Sequence, residues 1–239
     1  MKRALSLLLV FFVVGSAVGQ SPEPAKVRIT TWNLEWFPNG SAREATPEKQ
    51  AQRIKAAADV LKKLNPDILL LQEVRDYDAC NRLAEAIQPG AYTVAICSAF
   101  KGGKQEEAIL AKIPAQAAWS ESWKSVEGID PPRGFSFAWF KIGNADIGVY
   151  SLHLKSNLIT HGDPVAETAK NIRKREVAIG QLLTHVRDFI GAKMPAINRF
   201  IIGGDFNTNH DQAMFAAEKT LDTLSTGGLR SVFEKLPFE

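Results

Sequence analysis

The sequence predicts an α/β protein in which amphipathic helices pack outside stacked β-sheets, and three observations predict it. Apolar residues recur at helical spacing after Pro47 and again from about Ala166 to Ile190. Each stretch runs into a short apolar segment of strand length, one ending at Glu73 and the other spanning Phe200 to Ile202. Between the two helices the chain reads mostly as strands, which gives the helices sheet faces to cover. No internal repeat, low-complexity tract or linker interrupts it. With 239 residues and 45% hydrophobic content, the chain suits one layered domain from residue 26 to 239.

In chain order, residues 1–19 have the form of a secretory signal. Lys2 and Arg3 precede an apolar run from Ala4 to Val14, and the small residues Ala17 and Gly19 precede a cut before Gln20. The run is too short to span a bilayer comfortably, so the expectation is a secreted or periplasmic protein, with a retained anchor as the alternative. Thr46-Pro47-Glu48 starts the first helix with a hydroxyl cap, an early proline and an acid facing the helix dipole. Ile54, Ala57, Ala58, Leu61 and Leu64 form its apolar stripe, and Asn65-Pro66 stops it. Strands are expected over 91–97, 107–111, 135–142 and 147–154, with Gly143-Asn144 as a tight turn between the last two. In the second helix Ile172, Ile179, Leu182, Leu183, Val186 and Ile190 face inward, and Gly191 is the expected cap. A last element is expected over 229–236.

Four apolar strands carry polar groups towards their ends. Phe200-Ile201-Ile202-Gly203-Gly204 delivers Asp205 and Asn207, two residues apart, into a loop. An Asx-turn would account for that pair alone. Thr30-Thr31-Trp32 delivers Asn33 and Glu35 with the same spacing, and Ile68-Leu69-Leu70-Leu71-Gln72 ends in Glu73. A carboxylate closing a buried strand is costly unless a cation or donors meet it. In Val149–Ser156, alternation sets Tyr150, Leu152 and Leu154 on one face and Ser151, His153 and Lys155 on the other.

Taken together, Trp32-Asn33-Leu34-Glu35, Leu71-Gln72-Glu73-Val74, Ser151-Leu152-His153-Leu154-Lys155-Ser156 and Gly204-Asp205-Phe206-Asn207 resemble the endonuclease/exonuclease/phosphatase family, which includes DNase I-like nucleases. Each piece is short, but all four occur in the family's order over most of the chain. The resemblance implies a four-layer α/β/β/α sandwich with its site at one rim of the two central sheets. It also implies hydrolysis of phosphate esters, which needs positive charge, an oriented water and a stabilised leaving oxygen. Glu73 is the expected ligand of Mg²⁺, with Mn²⁺ or Ca²⁺ as alternatives, because Mg²⁺ takes carboxylate oxygen and keeps several waters. Glu35 is a second metal candidate, direct or through water. Asp205 is the expected base that activates water, and Asn207 would hold the water or the phosphoryl oxygens. Asn33 resembles the family's metal-side or phosphate-side amide, and His153 would donate to a phosphate oxygen. Arg133, Lys155 and Asn157 are expected substrate contacts, and His161, His185 and His210 receive no role.

The sequence departs from the family in one respect. A late Asp-His pair, commonly within Ser-Asp-His, has no counterpart after Asn207, and Asn209-His210-Asp211 has the wrong order. A truncated chain is the favoured expectation, a degenerate member the alternative, and either way weak or absent activity follows.

Charge and cysteines add little about substrate. Loss of Lys2 and Arg3 with the signal leaves 27 basic against 26 acidic residues of the original 29 and 26, so the net charge of +3 falls to +1. A local basic patch could still bind nucleic acid. Cys80 and Cys97 are the only cysteines, and export would favour a disulfide between them over two unpaired thiols. The leading expectation is therefore an exported Mg²⁺-dependent phosphodiesterase acting on nucleic acid. A phospholipid or sugar-phosphate phosphoesterase on the same fold and a catalytically dead phosphate-binding module are the alternatives.

Overall fold

The structure, a computed structural model, describes residues 26–101, 103, 105–208 and 212–232. The expected signal segment, His210 and residues 233–236 of the element expected over 229–236 lie outside the described residues. The first sheet begins with a parallel βαβ unit. β1 (Ile29–Phe37) pairs with β2 (Ile68–Val74) from Ile29↔Ile68 to Asn33↔Gln72, and α1 (Pro47–Leu64) crosses between them. Thr46 Oγ1 caps α1 through the Lys49 N–H, and Asn65 ends it in the left-handed region, as the local sequence dictates. After α2 (Tyr77–Ile87), β3 (Thr93–Cys97) and β4 (Glu106–Ala111) add antiparallel, giving the order β1-β2-β4-β3.

The second sheet mirrors this arrangement. β5 (Ala115–Ser122), β6 (Gly134–Ile142) and β7 (Ala145–His153) run antiparallel, α3 (Pro164–Thr184) crosses back, and β8 (Arg199–Asp205) pairs parallel to β7. The order is β5-β6-β7-β8. In face-to-face packing β2 meets β7 and β1 meets β8, so the carboxyl ends of four strands arrive at one rim.

Strand alternation sorts the side chains into three apolar layers. Leu69, Leu71, Ala108 and Leu110 face α1 and α2, while Phe135, Phe137, Tyr150 and Leu152 face α3. Between the sheets lie Ile68, Leu70, Ile109, Ala111, Ala138, Phe140 and Val149. Helices outside two stacked sheets give the expected four-layer α/β/β/α sandwich. Towards the rim the same inward positions turn polar, with Gln72, Glu107, Ser136, Ser151 and His153 all buried. Gln72 Nε2 donates to Ser151 Oγ at 2.9 Å and Ser136 Oγ to the Glu107 carbonyl at 2.9 Å, so hydrogen bonds join the sheets there.

Three expectations are corrected. The second helix does not run unbroken to Ile190: α3 ends at Thr184, a π-helix covers His185–Ile190, and α4 (Gly191–Lys193) follows. Gly191 keeps helical angles and caps nothing left-handed. The wider turn sits where His185 bonds Tyr150 Oη at 2.8 Å and stacks on Phe189, a tertiary reward that local propensity does not report. The elements α2 and β5 were not expected, although Asp76 caps α2 through the Ala79 N–H. Finally, Cys80 and Cys97 are free thiols rather than a disulfide. Cys80 is buried in α2 with its thiol in hydrogen-bonding contact with Cys97, and that contact together with burial pushes its pKa well up.

Candidate active site

Four of the expected residues converge. Asn33 Nδ2 donates to Glu73 Oε1 at 3.0 Å and to Asp205 Oδ2 at 2.9 Å. His153 Nε2 lies 3.7 Å from Glu73 Oε1 and 3.8 Å from Asp205 Oδ2. Each of β1, β2, β7 and β8 thus contributes one residue, two from either sheet. Gly203 makes room for this approach, since a Cβ there would lie 2.7 Å from Leu70 Cδ1 of the facing sheet.

The backbone around the cluster is held in uncommon conformations. Glu35, Trp36, Glu73, Arg133 and Asn207 all have positive φ, between 51° and 65°. Such angles cost about 1–3 kcal/mol each outside glycine and concentrate at functional sites. At Glu73 the left-handed residue interrupts the β2–β4 register, and its carboxylate is met by the Trp36 N–H at 3.1 Å and Gln105 Nε2 at 2.8 Å.

Burial controls the histidine. It lowers the His153 pKa to about 4, with the nearby Arg133 charge adding to the shift and the Asp205 and Glu73 charges opposing it. At neutral pH the ring is uncharged. Nδ1 is buried without a hydrogen-bond partner while Nε2 faces the two carboxylates, so the single ring proton belongs on Nε2.

The other expected site residues are mostly committed to the scaffold. The alternation that would put Glu35 beside Asn33 fails, because the positive φ of Glu35 and Trp36 shifts the β1–β2 register after Asn33. Its N–H caps Asn33 Oδ1 at 3.0 Å, and its side chain is exposed with no partner among the described residues. Arg133 donates to the carbonyls of His153 at 2.8 Å and Leu154 at 2.6 Å, and burial lowers its pKa against the pull of Glu107, Glu73 and Asp205. Asn207 donates its N–H to Asp205 Oδ1 at 3.0 Å and its amide to the Leu154 carbonyl at 3.1 Å. Asn157 bonds the Asn207 carbonyl at 3.0 Å. Lys155 lies half-buried on the rim, its pKa lowered by burial and then by Lys174.

Sequence reasoning missed three groups. Gln105 and Glu107 belong to a polar triplet that opens an apolar strand, whereas the other four strands carry their polar groups towards their ends. Arg175 sits on the apolar stripe of α3, fully buried, and makes two 2.7 Å bonds to buried Glu218. Its remaining nitrogen holds the Lys155 carbonyl at 2.9 Å and Asn157 Oδ1 at 2.7 Å, bracing the loop after β7.

Glu73 and Asp205 place two carboxylates on a single amide nitrogen beside a neutral imidazole. That set of hard oxygen donors fits a divalent cation such as Mg²⁺, which needs only one or two protein carboxylates and keeps its waters. Among the described residues no group of three or more His, Cys, Asp or Glu side chains is placed to hold a metal ion, so water would have to complete the coordination.

Similar folds are known. A TDP2 structure from C. elegans is 23% identical over 77% of this chain and 49% of its own, with a TM-score of 0.55. A β-hairpin deletion mutant of beta toxin from Staphylococcus aureus is 17% identical, covering 87% of this chain and 75% of its own, at a TM-score of 0.59. An endonuclease/exonuclease/phosphatase family protein from Leptotrichia buccalis C-1013-b is 16% identical over 85% and 73%, at 0.55. The chain spans about half the length of the first two TDP2 structures it matches. No curated protein sequence matches. The Endonuclease/Exonuclease/phosphatase family model aligns with residues 30–227, over the strands that carry Asn33, Glu73, His153 and Asp205, and the chain therefore belongs to that family.

Proposed function

We propose that this protein is an exported, Mg²⁺-dependent phosphodiesterase that hydrolyses nucleic-acid phosphodiesters with an activated water. The observation that carries the reading is the meeting of Asn33, Glu73, His153 and Asp205 from four strand ends. Glu73 would hold the cation, which would supply charge to the phosphoryl oxygens. Asp205 is one-third exposed, at 32% of its side chain, and can reach a water. The Asn33 amide and Asn207 N–H fix the orientation of its two oxygens, leaving it able to accept the water's proton. Neutral His153 donates from Nε2 to a phosphate oxygen, and Lys155 lies on the rim for the flanking backbone.

The test is cleavage of plasmid DNA and bis-p-nitrophenyl phosphate by wild type, Glu73→Gln, Asp205→Asn and His153→Gln, with Mg²⁺ affinity measured by calorimetry. Each variant should lose about 100-fold or more in kcat, and Glu73→Gln should weaken Mg²⁺ binding with the fold intact. Full activity in Glu73→Gln would overturn the reading. Phosphate binding with no turnover, both here and in a version extended to a downstream Asp-His, would point to a binding module.

A further inference from the structure

β7 outruns its neighbour in the sheet. β6 begins at Gly134 and its Phe135 pairs with Leu152, so the His153 peptide lies past the end of that ladder. Two side chains serve it in place of a strand. The His153 N–H donates to Glu107 Oε1 at 3.0 Å, a carboxyl that reaches across from the other sheet, while Arg133 takes the His153 carbonyl at 2.8 Å. Glu107 is fully buried, and its Oε2 has no hydrogen-bond partner. Leaving a buried oxygen unsatisfied costs on the order of 1–3 kcal/mol. An apolar residue here would avoid that penalty but strand the buried His153 N–H, so the position calls for an acceptor aimed at β7.

We propose that Glu107 is a positioning residue that, with Arg133, holds the His153 backbone at its N–H and its carbonyl and thereby aims the imidazole at the substrate phosphate. The inference rests on reading His153 as the phosphate donor. What the geometry requires of Glu107 is an acceptor, not a charge. Burial keeps its proton on well above the usual carboxylate range, against the opposing Arg133 charge and His153 N–H, and Glu106 adds to the rise. A glutamine offers the same acceptor in nearly the same volume, whereas a methionine fills the space and offers none.

Glu107→Gln and Glu107→Met would be compared in the full chain by steady-state hydrolysis of bis-p-nitrophenyl phosphate with Mg²⁺, alongside imidazole ¹⁵N shifts of His153. Glu107→Met should lose about 100-fold in kcat with little change in KM, as expected for a misaimed group, and its His153 shifts should move. Glu107→Gln should keep both the shifts and most of the kcat. Wild-type kcat and shifts in Glu107→Met, or equal damage in the two variants, would overturn the proposal. If neither the wild type nor a version extended to a downstream Asp-His hydrolyses a phosphoester, the functional reading fails, and the shifts alone still decide the grip. If Glu107→Met does not fold, Arg133→Met removes the opposing contact, and unmoved His153 shifts there would overturn the proposal equally.

Discussion

A Cβ on Gly204 would lie 2.0 Å from the Leu152 carbonyl oxygen, and the residue's φ is +148°. Only glycine lets β8 approach β7 this closely one residue before Asp205. Gly204→Ala should cost more than about 3 kcal/mol and displace Asp205, and an unchanged urea midpoint would refute this. Glu107 supplies a second prediction at this scale. Its folded-state pKa is raised above the ordinary 4.5, so above pH 4.5 the folded chain binds more protons than the unfolded one. That contribution to stability is complete below pH 4.5 and is lost as pH rises through the folded-state value. Urea unfolding at pH 4.5 and pH 7 should show wild type losing stability relative to Glu107→Gln; parallel curves would exclude the shift.

Elements are held to the site by buried polar links as well as apolar faces. The Arg175–Glu218 pair ties α3 to the segment before α5 (Thr220–Thr226), with both side chains almost wholly excluded from solvent. Removing one member strands the other's charge, so Arg175→Met should cost about 3–5 kcal/mol. Adding Glu218→Met should recover much of that stability without recovering activity, because Lys155 and Asn157 stay unbraced. Stability and kcat recovering together would show that the brace does not serve the site. The α2–β3 contact makes a simpler prediction: Cys80 should resist a thiol reagent until urea unfolds the chain, since burial and its raised pKa suppress the thiolate.

Over the whole molecule, formal net charge is only +3. Association with duplex DNA should therefore rest on a few local cations such as Lys155 and Lys174, giving a shallow salt dependence of log KM with slope magnitude of about 3 or less. Lys155→Ala with Lys174→Ala should flatten it further, and a steep slope that survives both changes would place the nucleic-acid contact elsewhere. The apolar alternation of the strands and the caps of α1 are local consequences of residue type and spacing, which is why the sandwich and the four strand ends were legible in the sequence. The same alternation marked Asn33, Glu73, His153 and Asp205 as polar groups at strand ends, which the family resemblance joined in one site. It misplaced Glu35, whose positive φ turns the strand, and it could not see that Arg133, Asn157 and Asn207 spend donors on backbone carbonyls. The sequence by itself determined the layers and the polar strand ends, because periods of 2 and 3.6 residues are properties of neighbours along the chain. Only the tertiary structure decided the partners of Glu107, Gln105 and Arg175, the neutral state of His153 and the free thiols. Those depend on groups brought together from separate sheets and helices, and on the water that their packing excludes.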